Sequence, residues 1–446
     1  MVRRPVNPPA QGWSLTFRPR DWTVLADHLF TDGDEHGAVV LARVAAGPRG
    51  PRLLAEHVLL ATDGVDYVAG EYGYRALAAP FVRDAALHAR RLGLAYLAFH
   101  NHRGTTQVEF SGVDLASHRR GYPALRQITG QPVGGVVCTP YAAAGDLWLS
   151  DGTRTSLAEV VVPSGNFMRL RPKPAPTSVS DAQYDRQARL FGDAGQECFR
   201  KMRIAVIGQG GVGSLLTEML ARLGVGSLVL VEPELIEESN VPRLVGADVS
   251  DIGTAKVELG VRNARRANPN IYALPLRSRI ESPVAWAAVA QCDWIFLAAD
   301  SHAARHVVTT LVEEYLIPGT QLGVKIPVAG DGAIGRVHVA TRLLIPGEGC
   351  MWCNNLIDST ELAIDMHPEL ERDAARYVEG VPAASVISLN AMTASQAVTD
   401  FMLTITQLHE EEADHLDVYV FPRNRVTNLI KHRRDPGCDL CGDKVM

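Results

Sequence analysis

The sequence predicts a two-domain α/β protein whose second domain is built on a parallel sheet. A chain of 446 residues is longer than one ordinary domain, and 46% hydrophobic residues suffice for more than one buried core. Pro172, Pro174 and Pro176 interrupt the apolar periodicity and favour extended backbone between the two domains. We therefore predict a first domain over residues 1–166, a linker over 167–180 and a second domain over 181–446.

The pattern of apolar runs differs on the two sides of this linker. Before it, short apolar runs and turn signals surround one helical stretch, Phe81–Leu92, as is typical of a mixed α/β domain. After it, apolar strands alternate with amphipathic helices, which is typical of βαβ units on a parallel sheet. The elements predicted there are Arg203–Ile207, Gly213–Leu223, Ser227–Val231, Ala255–Arg266, Ile271–Pro275 and Trp294–Ala298.

Composition excludes several classes of function. A net charge of −6 gives no electrostatic reason to expect a nucleic-acid partner. No apolar run reaches the 18 or so residues that cross a bilayer, and Arg3 and Arg4 precede no signal-peptide core. We therefore expect a cytoplasmic protein without a membrane partner.

A glycine-rich turn follows the first predicted strand of the second domain. The strand Arg203–Ile207 runs directly into a turn containing four glycines, and a helix begins there. Glycines allow the backbone to turn sharply and approach phosphates, and a helix N-terminus attracts anions. The candidate nucleotide-binding residues of this turn are Gly208, Gly210, Gly211 and Gly213.

Charged residues follow the later strands. Glu232 ends a strand where an acid normally binds a ribose, and Arg243, Lys256 and Asp300 lie at or beyond predicted strand ends. A hydride-transfer enzyme needs no such cluster, whereas adenylation does. Cations neutralise the triphosphate and the departing pyrophosphate, and an acid binds Mg²⁺.

This half resembles the ThiF/MoeB adenylating family, which includes the ubiquitin-activating enzymes. The matching segments are YDRQARLFG, GQGGVGS, VEPELIEESNVPRL, GTAK and AADSHAAR. The resemblance implies a Rossmann-like ThiF-type fold and a homodimer in which Arg186 reaches the partner's nucleotide. Glu232 and Glu234 stand where the family usually has Asp, and Val241-Pro242 also departs from its pattern. By this resemblance the Gly208–Gly213 turn binds ATP, Glu232 binds the ribose, Asn240, Arg243 and Lys256 bind the phosphates, and Asp300 serves Mg²⁺ and the activated carboxylate.

Four of the seven cysteines form two C-x-x-C pairs, Cys350/Cys353 and Cys438/Cys441. In a reducing compartment this spacing indicates a metal rather than disulfides. Four thiolates make a closed tetrahedral Zn²⁺ site, so we predict a structural zinc that holds the C-terminal tail.

No cysteine lies between these pairs, where many relatives carry a catalytic one, and Tyr377 stands about where it would align. The other thiols, Cys138, Cys198 and Cys292, are interpreted as core residues. Three routes stay open for the activated carboxylate: direct attack by the acceptor, capture by a partner's cysteine, or an ester. The candidates for the ester are Ser359, Thr360 and Ser385, with His367 the nearest base.

The first domain contains a candidate metal site. A strand ends in His100-Asn101-His102, and residues i and i+2 of a strand point the same way. Asp114, at a helix start, can supply a third ligand. Two His, one carboxylate and an open position form a hydrolytic zinc arrangement.

This pattern resembles the JAMM motif of the JAB/MPN metalloprotease family. The resemblance implies that His100, His102 and Asp114 bind a catalytic Zn²⁺ and that Ser111 stabilises an oxyanion. It also implies a glutamate base on an earlier strand. Glu35 in EHGAVV fits that part loosely, whereas Glu56 lacks the following glycine.

Together the two resemblances indicate an enzyme of bacterial ubiquitin-like conjugation. One domain would activate the C-terminus of a ubiquitin-like protein with ATP, and the other would cleave a peptide or isopeptide bond there. A conjugating-enzyme-like protein is an expected further partner. The alternatives are activation of a sulfur carrier, adenylation of a short peptide in antibiotic biosynthesis, and a binding scaffold with one inactive half.

Overall fold

The computed structural model describes residues 11–69, 75–174, 179, 181–367, 384–410 and 416–443. Contacts divide the chain into two compact units. The first unit comprises Pro9–Pro163 and Phe167–Pro176, and the second unit is centred on Thr177–Met446. None of the helices in the described stretches combines the length and apolar character needed to span a bilayer.

The first unit is a mixed sheet covered by helices. Its elements are β1 (Ser14–Thr16), α1 (Pro19–Leu29), β2 (Gly37–Ala45), β3 (Arg52–Leu60), β4 (Tyr67–Ala69), β5 (Arg75–Leu77), α2 (Ala79–Leu92), β6 (Ala95–Asn101), α3 (Gly112–Thr129), β7 (Val133–Thr139), β8 (Ala142–Trp148), β9 (Arg154–Leu157), β10 (Glu159–Val162) and β11 (Met168–Leu170). The nine-stranded sheet has the order β11-β10-β1-β3-β2-β6-β7-β8-β9, and β4 pairs with β5 separately.

Both faces of this sheet carry a core. Alternate residues of β2 belong to the two cores: Val40 shares one core with Leu25 of α1, and Val39 shares the other with Ala85 of α2. A strand buried on both faces has a continuous apolar run instead of strict alternation, which is the pattern of β2. The helix predicted over 81–92 is confirmed as α2, which begins at Ala79. The prediction of only one helical stretch in this domain is wrong, because α1 and α3 are also present, and Pro123 inside α3 obscures its helical pattern.

The linker begins later than its predicted start at residue 167. β11 lies inside the predicted segment and pairs antiparallel with β10. Arg169 and Arg171 form ion pairs of 3.0 and 2.7 Å with the buried carboxylate of Glu159. These ion pairs stabilise a three-residue edge strand that no apolar pattern in the sequence predicts.

The second unit contains the predicted βαβ units and an antiparallel extension. Its elements are α4 (Asp185–Lys201), β12 (Arg203–Ile207), α5 (Gly211–Leu223), β13 (Ser227–Val231), α6 (Lys256–Ala267), β14 (Tyr272–Leu276), α7 (Pro283–Val289), β15 (Trp294–Leu297), α8 (His302–Tyr315), β16 (Gly319–Lys325), β17 (His338–Leu344), α9 (Ser359–Asp365), α10 (Ile387–Thr406), β18 (Leu416–Phe421) and β19 (Val426–Lys431).

The eight-stranded sheet has the order β14-β13-β12-β15-β16-β17-β18-β19. The strands from β14 to β16 are parallel, and the remaining pairs are antiparallel. The predicted bounds of β12 and β13 are confirmed to the residue. Because β13, β12 and β15 are parallel neighbours, their carboxyl ends meet at one edge, where ligands bind in such sheets.

Candidate functional site

The glycine turn joins β12 to α5 at this edge. Gly208 has a φ of +92°, and a Cβ on Gly213 would lie 1.8 Å from the carbonyl oxygen of Gly208. A Cβ on Gly211 would lie 2.2 Å from Nδ2 of Asn390, which belongs to α10. Only glycine fits these positions, and the turn leaves the N-terminus of α5 at the sheet edge, where it can bind an anion.

Glu232, at the end of β13, fastens the turn to the neighbouring strand. Its Oε2 accepts a hydrogen bond of 2.9 Å from the backbone N–H of Gln209, and its Oε1 accepts one of 3.2 Å from Glu234. Burial raises the pKa of Glu232. The structure therefore places this carboxylate beside the turn, and its contact with a ribose stays a prediction.

Lys256 begins α6 close to Glu232, and its ammonium forms an ion pair with the carboxylate of Glu234. The Lys256 side chain is 7% exposed, whereas that of Glu234 is 66% exposed. Because the Glu234 carboxylate is exposed, it can leave the ion pair at little cost in free energy. The buried Lys256 ammonium is then available for a phosphate.

Arg243 lies beside the turn because two buried side chains hold the segment that follows it. The Val245 N–H donates to Ser214 Oγ at 3.2 Å, and Asn263 Nδ2 donates to the Val245 carbonyl at 2.6 Å. The Arg243 carbonyl oxygen is 3.4 Å from where a Cβ on Gly211 would lie. Within the described residues the Arg243 side chain forms no hydrogen bond or ion pair, so its guanidinium can receive a phosphate.

The Asn240 side chain forms hydrogen bonds within the same segment. Its Oδ1 accepts a hydrogen bond of 3.2 Å from the backbone N–H of Glu237, and its Nδ2 donates to Ser239 Oγ at 3.3 Å. The side chain is buried and engaged in the turn that carries Arg243. The contacts of Asn240 seen here are therefore local and stabilise its own turn. Its contact with a phosphate stays a prediction.

Asp300 follows β15 next to the glycine turn. A Cβ on Gly208 would lie 2.8 Å from the backbone nitrogen of Ala299, so the turn and this strand end are in contact. Asp300 is exposed. Burial lowers the pKa of Arg305, and the nearby negative charge of Asp300 partly offsets this by raising it. The structure therefore brings Asp300, Arg243 and Lys256 to one edge around the turn.

Arg186 lies at the start of α4 and is exposed. Tyr184 and Gln187 of the same YDRQ segment contact the end of α5. The ring of Tyr184 packs on Gly224 at the end of α5, and Gln187 Nε2 donates to the Leu223 carbonyl at 2.9 Å. This anchoring presents Arg186 outward, and its contact with a second protomer stays a prediction.

The four cysteines of the two pairs converge. The Sγ atoms are 3.8 Å apart for Cys350 and Cys353, 3.7 Å for Cys350 and Cys438, and 3.4 Å for Cys353 and Cys441. A hydrogen bond from Cys441 lowers the pKa of Cys350 to about 5, which favours a thiolate. Four converging thiols are the donor set of a closed, structural zinc site, so this cluster can bind zinc.

Backbone contacts accompany the sulfur atoms. Asn354 Nδ2 donates to the Arg433 carbonyl at 3.0 Å, and the Arg433 N–H returns a bond of 2.9 Å to Asn354 Oδ1. Arg434 Nε donates to the Gly347 carbonyl at 2.9 Å. The described tail is therefore held against the segment that precedes α9.

Comparison with known proteins identifies the second unit. The model of the ThiF family matches residues 184–440, more than half of the 446-residue chain. The chain belongs to the ThiF family. The SAMP-activating enzyme E1 of Haloferax volcanii is 25% identical over 277 residues, covering 60% of this chain and 92% of that protein. The molybdopterin-synthase adenylyltransferase of Salmonella typhimurium is 30% identical over 266 residues, covering 58% and 96%.

Among solved structures, a crystal structure of E. coli MccB aligns with 60% of this chain and 74% of that chain. The TM-score is 0.49 and the sequence identity is 18%, so this likeness carries no argument about function. The ThiF match and the two sequence relatives support an adenylyltransferase, and the matched range begins after the first unit.

Gly213→Ala in the ThiF turn should lower the melting temperature by several degrees and abolish ATP binding. Its Cβ would overlap the Gly208 carbonyl oxygen, and such overpacking costs about 1–3 kcal/mol. Gly210→Ala is the matched control for the melting temperature alone, because a Cβ there meets no atom within 4 Å and its φ is −72°, whereas Gly210 itself belongs to the predicted ATP-binding turn. Thermal unfolding and calorimetric titration with ATP measure both effects. Equal melting temperatures for the two variants would contradict this account of the turn.

Cys350→Ser should reduce the zinc content by one ion per chain and destabilise the second unit. We expect the free energy of unfolding to fall by several kcal/mol. The melting temperature should then fall by roughly 10 °C, because each kcal/mol shifts it by about 2–4 °C in a domain of this size. Cys292→Ser is the control for the zinc content, because Cys292 is a buried core cysteine that is not among the four converging thiols. Metal analysis and calorimetry report the result, and an unaltered zinc content in Cys350→Ser would contradict it.

The candidate metal ligands of the first unit also converge. One ligand atom from each of His100, His102 and Asp114 lies within 4.8 Å of the others. Nε2 of His100 is 3.6 Å from Asp114 Oδ1, and Nε2 of His102 is 3.5 Å from Asp114 Oδ2. Two imidazoles and one carboxylate suit a zinc site with an open position.

Ser111 caps α3 and orients Asp114. The Ser111 hydroxyl and backbone N–H donate to Asp114 Oδ2 at 2.7 and 2.8 Å. Burial acts to raise the pKa of Asp114, but hydrogen bonds with His100, His102 and Ser111 hold it well below its ordinary value. Because the hydroxyl proton is committed to Asp114 here, the predicted oxyanion role of Ser111 has no support from these contacts and stays a prediction.

Glu35, and not Glu56, lies beside this cluster. Glu35 Oε1 is 3.9 Å from His102 Nε2, whereas Glu56 forms an ion pair of 2.9 Å with Arg43. β2 pairs with β6 so that Gly37 faces His100, and the same antiparallel register continued would place Glu35 opposite His102. The pairing of β2 with β6 therefore brings the segment that carries Glu35 to the cluster.

The hydroxyl candidates for an ester are Ser359, Thr360 and Ser385. Ser385 Oγ accepts a hydrogen bond of 3.1 Å from Asn390, and Ser359 and Thr360 lie in the first turn of α9. In the parts of the chain that the structure describes, no carboxylate or imidazole is hydrogen-bonded to any of these hydroxyls. Tyr377 lies outside the described residues.

Proposed function

We propose that the second unit is an ATP-dependent adenylyltransferase that activates the C-terminal carboxylate of a ubiquitin-like protein. The observation that carries this proposal is the contact of the glycine turn with the strand end before Asp300, with Lys256 and Arg243 beside it. In the proposed reaction a carboxylate oxygen attacks the α-phosphorus of ATP. The bond to the β-phosphate breaks, and pyrophosphate leaves.

Each residue has a defined task in this reaction. The turn and the N-terminus of α5 bind phosphates, and Arg243 and Lys256 neutralise the charge that develops on pyrophosphate. Asp300 would hold Mg²⁺, which would neutralise phosphate charge near the carboxylate that is activated. The exposed position of Arg186 supports a homodimer in which it reaches the partner's nucleotide.

The two named relatives favour a protein carrier as the substrate, because one is a SAMP-activating enzyme and the other a molybdopterin-synthase adenylyltransferase. ATP–pyrophosphate exchange distinguishes the alternatives. Exchange stimulated by a ubiquitin-like protein ending in Gly supports the proposal. Exchange stimulated only by a sulfur carrier, or only by a short peptide, would replace it with one of those functions.

We further propose that the first unit is a zinc-dependent peptidase that acts on the same ubiquitin-like protein. The convergence of His100, His102 and Asp114, with Glu35 alongside, supports it. A bound zinc ion would polarise the scissile carbonyl and bring the pKa of water to about 7. Glu35 would then accept the proton of the attacking water and deliver it to the leaving amine.

A ubiquitin-like precursor with a short C-terminal extension tests the second proposal. Wild-type protein loaded with zinc should release the extension, and Glu35→Gln should retain zinc while slowing release by about 10²–10⁴-fold. Equal rates of release by the wild type and by Glu35→Gln would contradict the role of Glu35 as the base. Conjugates on a lysine side chain would show whether the unit matures a precursor or removes the modifier.

A further inference from the structure

Asn101, between the two histidines of the metal cluster, holds the backbone that carries Glu35. Its Oδ1 accepts a hydrogen bond of 2.6 Å from the His36 N–H, and its Nδ2 donates to the Asp34 carbonyl at 3.0 Å. Asn101 is 8% exposed. One amide therefore bonds to the residues immediately before and after Glu35.

The contacts on both sides of Glu35 determine where its carboxylate lies. Glu35 precedes β2 and has no ladder partner of its own, because the pairing of β2 with β6 begins at Gly37. The Tyr67 hydroxyl accepts a hydrogen bond of 2.8 Å from the Gly37 N–H and supports the loop from its other end. The Asn101 side chain therefore holds the residues just before β2 against β6, where the backbone pairing of the two strands has ended.

We propose that Asn101 is a positioning residue for the Glu35 carboxylate. This inference rests on the proposed peptidase function of the first unit. Asn101 acts through the loop and contacts neither substrate nor metal. Its neighbours His100 and His102 point to the opposite side of the strand and carry the metal.

Asn101→Ala should loosen the loop while leaving the ligand set in place. The substitution removes the hydrogen bond from the buried His36 N–H and the one to the Asp34 carbonyl, and the loss at the buried N–H favours an opened loop that water can solvate. β6 keeps its backbone pairing with β2 and β7, which fixes the histidines independently of the amide. Zinc binding should therefore be retained.

Two measurements test this inference. Hydrogen exchange of the peptide segment containing residues 33–37 should accelerate in Asn101→Ala at least about tenfold, with or without zinc. Hydrolysis of the extended ubiquitin-like precursor should slow by roughly 10–100-fold in kcat with little change in KM, because misplacing a catalytic group by about 1 Å can cost 10²-fold. Thr129→Ala is the matched control, since Thr129 is buried and bonds to both the N–H and the carbonyl of Gln131 at the far end of α3.

A double-mutant cycle with Glu35→Gln separates positioning from a general structural effect. In the Glu35→Gln background, Asn101→Ala should cause no further loss of kcat. The inference is overturned if exchange over 33–37 is unaltered, or if Asn101→Ala slows both backgrounds equally. A wild-type protein that cleaves neither precursors nor conjugates would refute the peptidase, whereas the exchange experiment would still decide whether Asn101 holds the loop.

Discussion

Asp300→Ala should reduce ATP–pyrophosphate exchange by about 10³-fold or more while leaving hydrolysis by the first unit unaltered. Asp300 follows β15 at the point of contact with the glycine turn and is the candidate ligand for Mg²⁺. Losing one group that stabilises transition-state charge typically costs about 10²–10³ in rate, and losing the metal adds to this. Exchange and precursor cleavage, measured on the same preparation, report both activities.

Glu258→Ala is the matched control for Asp300→Ala. Glu258 is an exposed acid on α6 two residues beyond Lys256, so its removal changes the net charge of the unit equally. The Glu258→Ala protein should exchange pyrophosphate at a rate within about twofold of the wild type. Its melting temperature should lie within about 2 °C of the wild type. If Asp300→Ala abolished both exchange and peptidase activity, the independence of the two sites would be wrong.

His100→Ala should eliminate peptidase activity and lower the zinc content from two ions per chain to one. Two ligand clusters are present in the described structure, and the cysteine cluster keeps its ion in this variant. With one imidazole missing, the first unit retains only His102 and Asp114, which are too few to hold a catalytic zinc. We expect hydrolysis to fall by at least about 10³-fold, and metal analysis beside the cleavage assay measures the result.

The control for His100→Ala is His88→Ala, because His88 lies on α2, where its ring contacts His57. That variant should keep both zinc ions and full cleavage. A His100→Ala protein that still bound two zinc ions and cleaved at the wild-type rate would exclude this metal site. Exchange of pyrophosphate should be the same in both variants.

The sequence could predict that the glycine turn, Glu232 and Asp300 lie at one edge, because these residues follow strands of a parallel sheet. Once β12, β13 and β15 are parallel neighbours, their carboxyl ends must share an edge, and the glycine turn, Glu232 and Asp300 follow from that. The metal cluster was predictable for a similar reason, since alternation along β6 places His100 and His102 on one side.

The residues that the sequence could not reveal act across long separations. Asn101 bonds to His36, 65 positions away, and Asn390 approaches Gly211 from α10. Neither contact has a local pattern, because each depends on the pairing of distant elements. β11 was missed for a different reason: its ion pairs with Glu159 are local, but the prolines after it marked the whole segment as a linker.

Isotope transfer from the carrier tests adenylation most directly. A ubiquitin-like protein ending in Gly, with ¹⁸O in its C-terminal carboxylate, is incubated with ATP, Mg²⁺ and the full chain, and the activated acyl group is then captured by a small amine. Adenylation predicts AMP that contains one ¹⁸O from the carboxylate, with unlabelled pyrophosphate, in wild type but not in Asp300→Ala. AMP without the label, or ¹⁸O in inorganic phosphate, would contradict it.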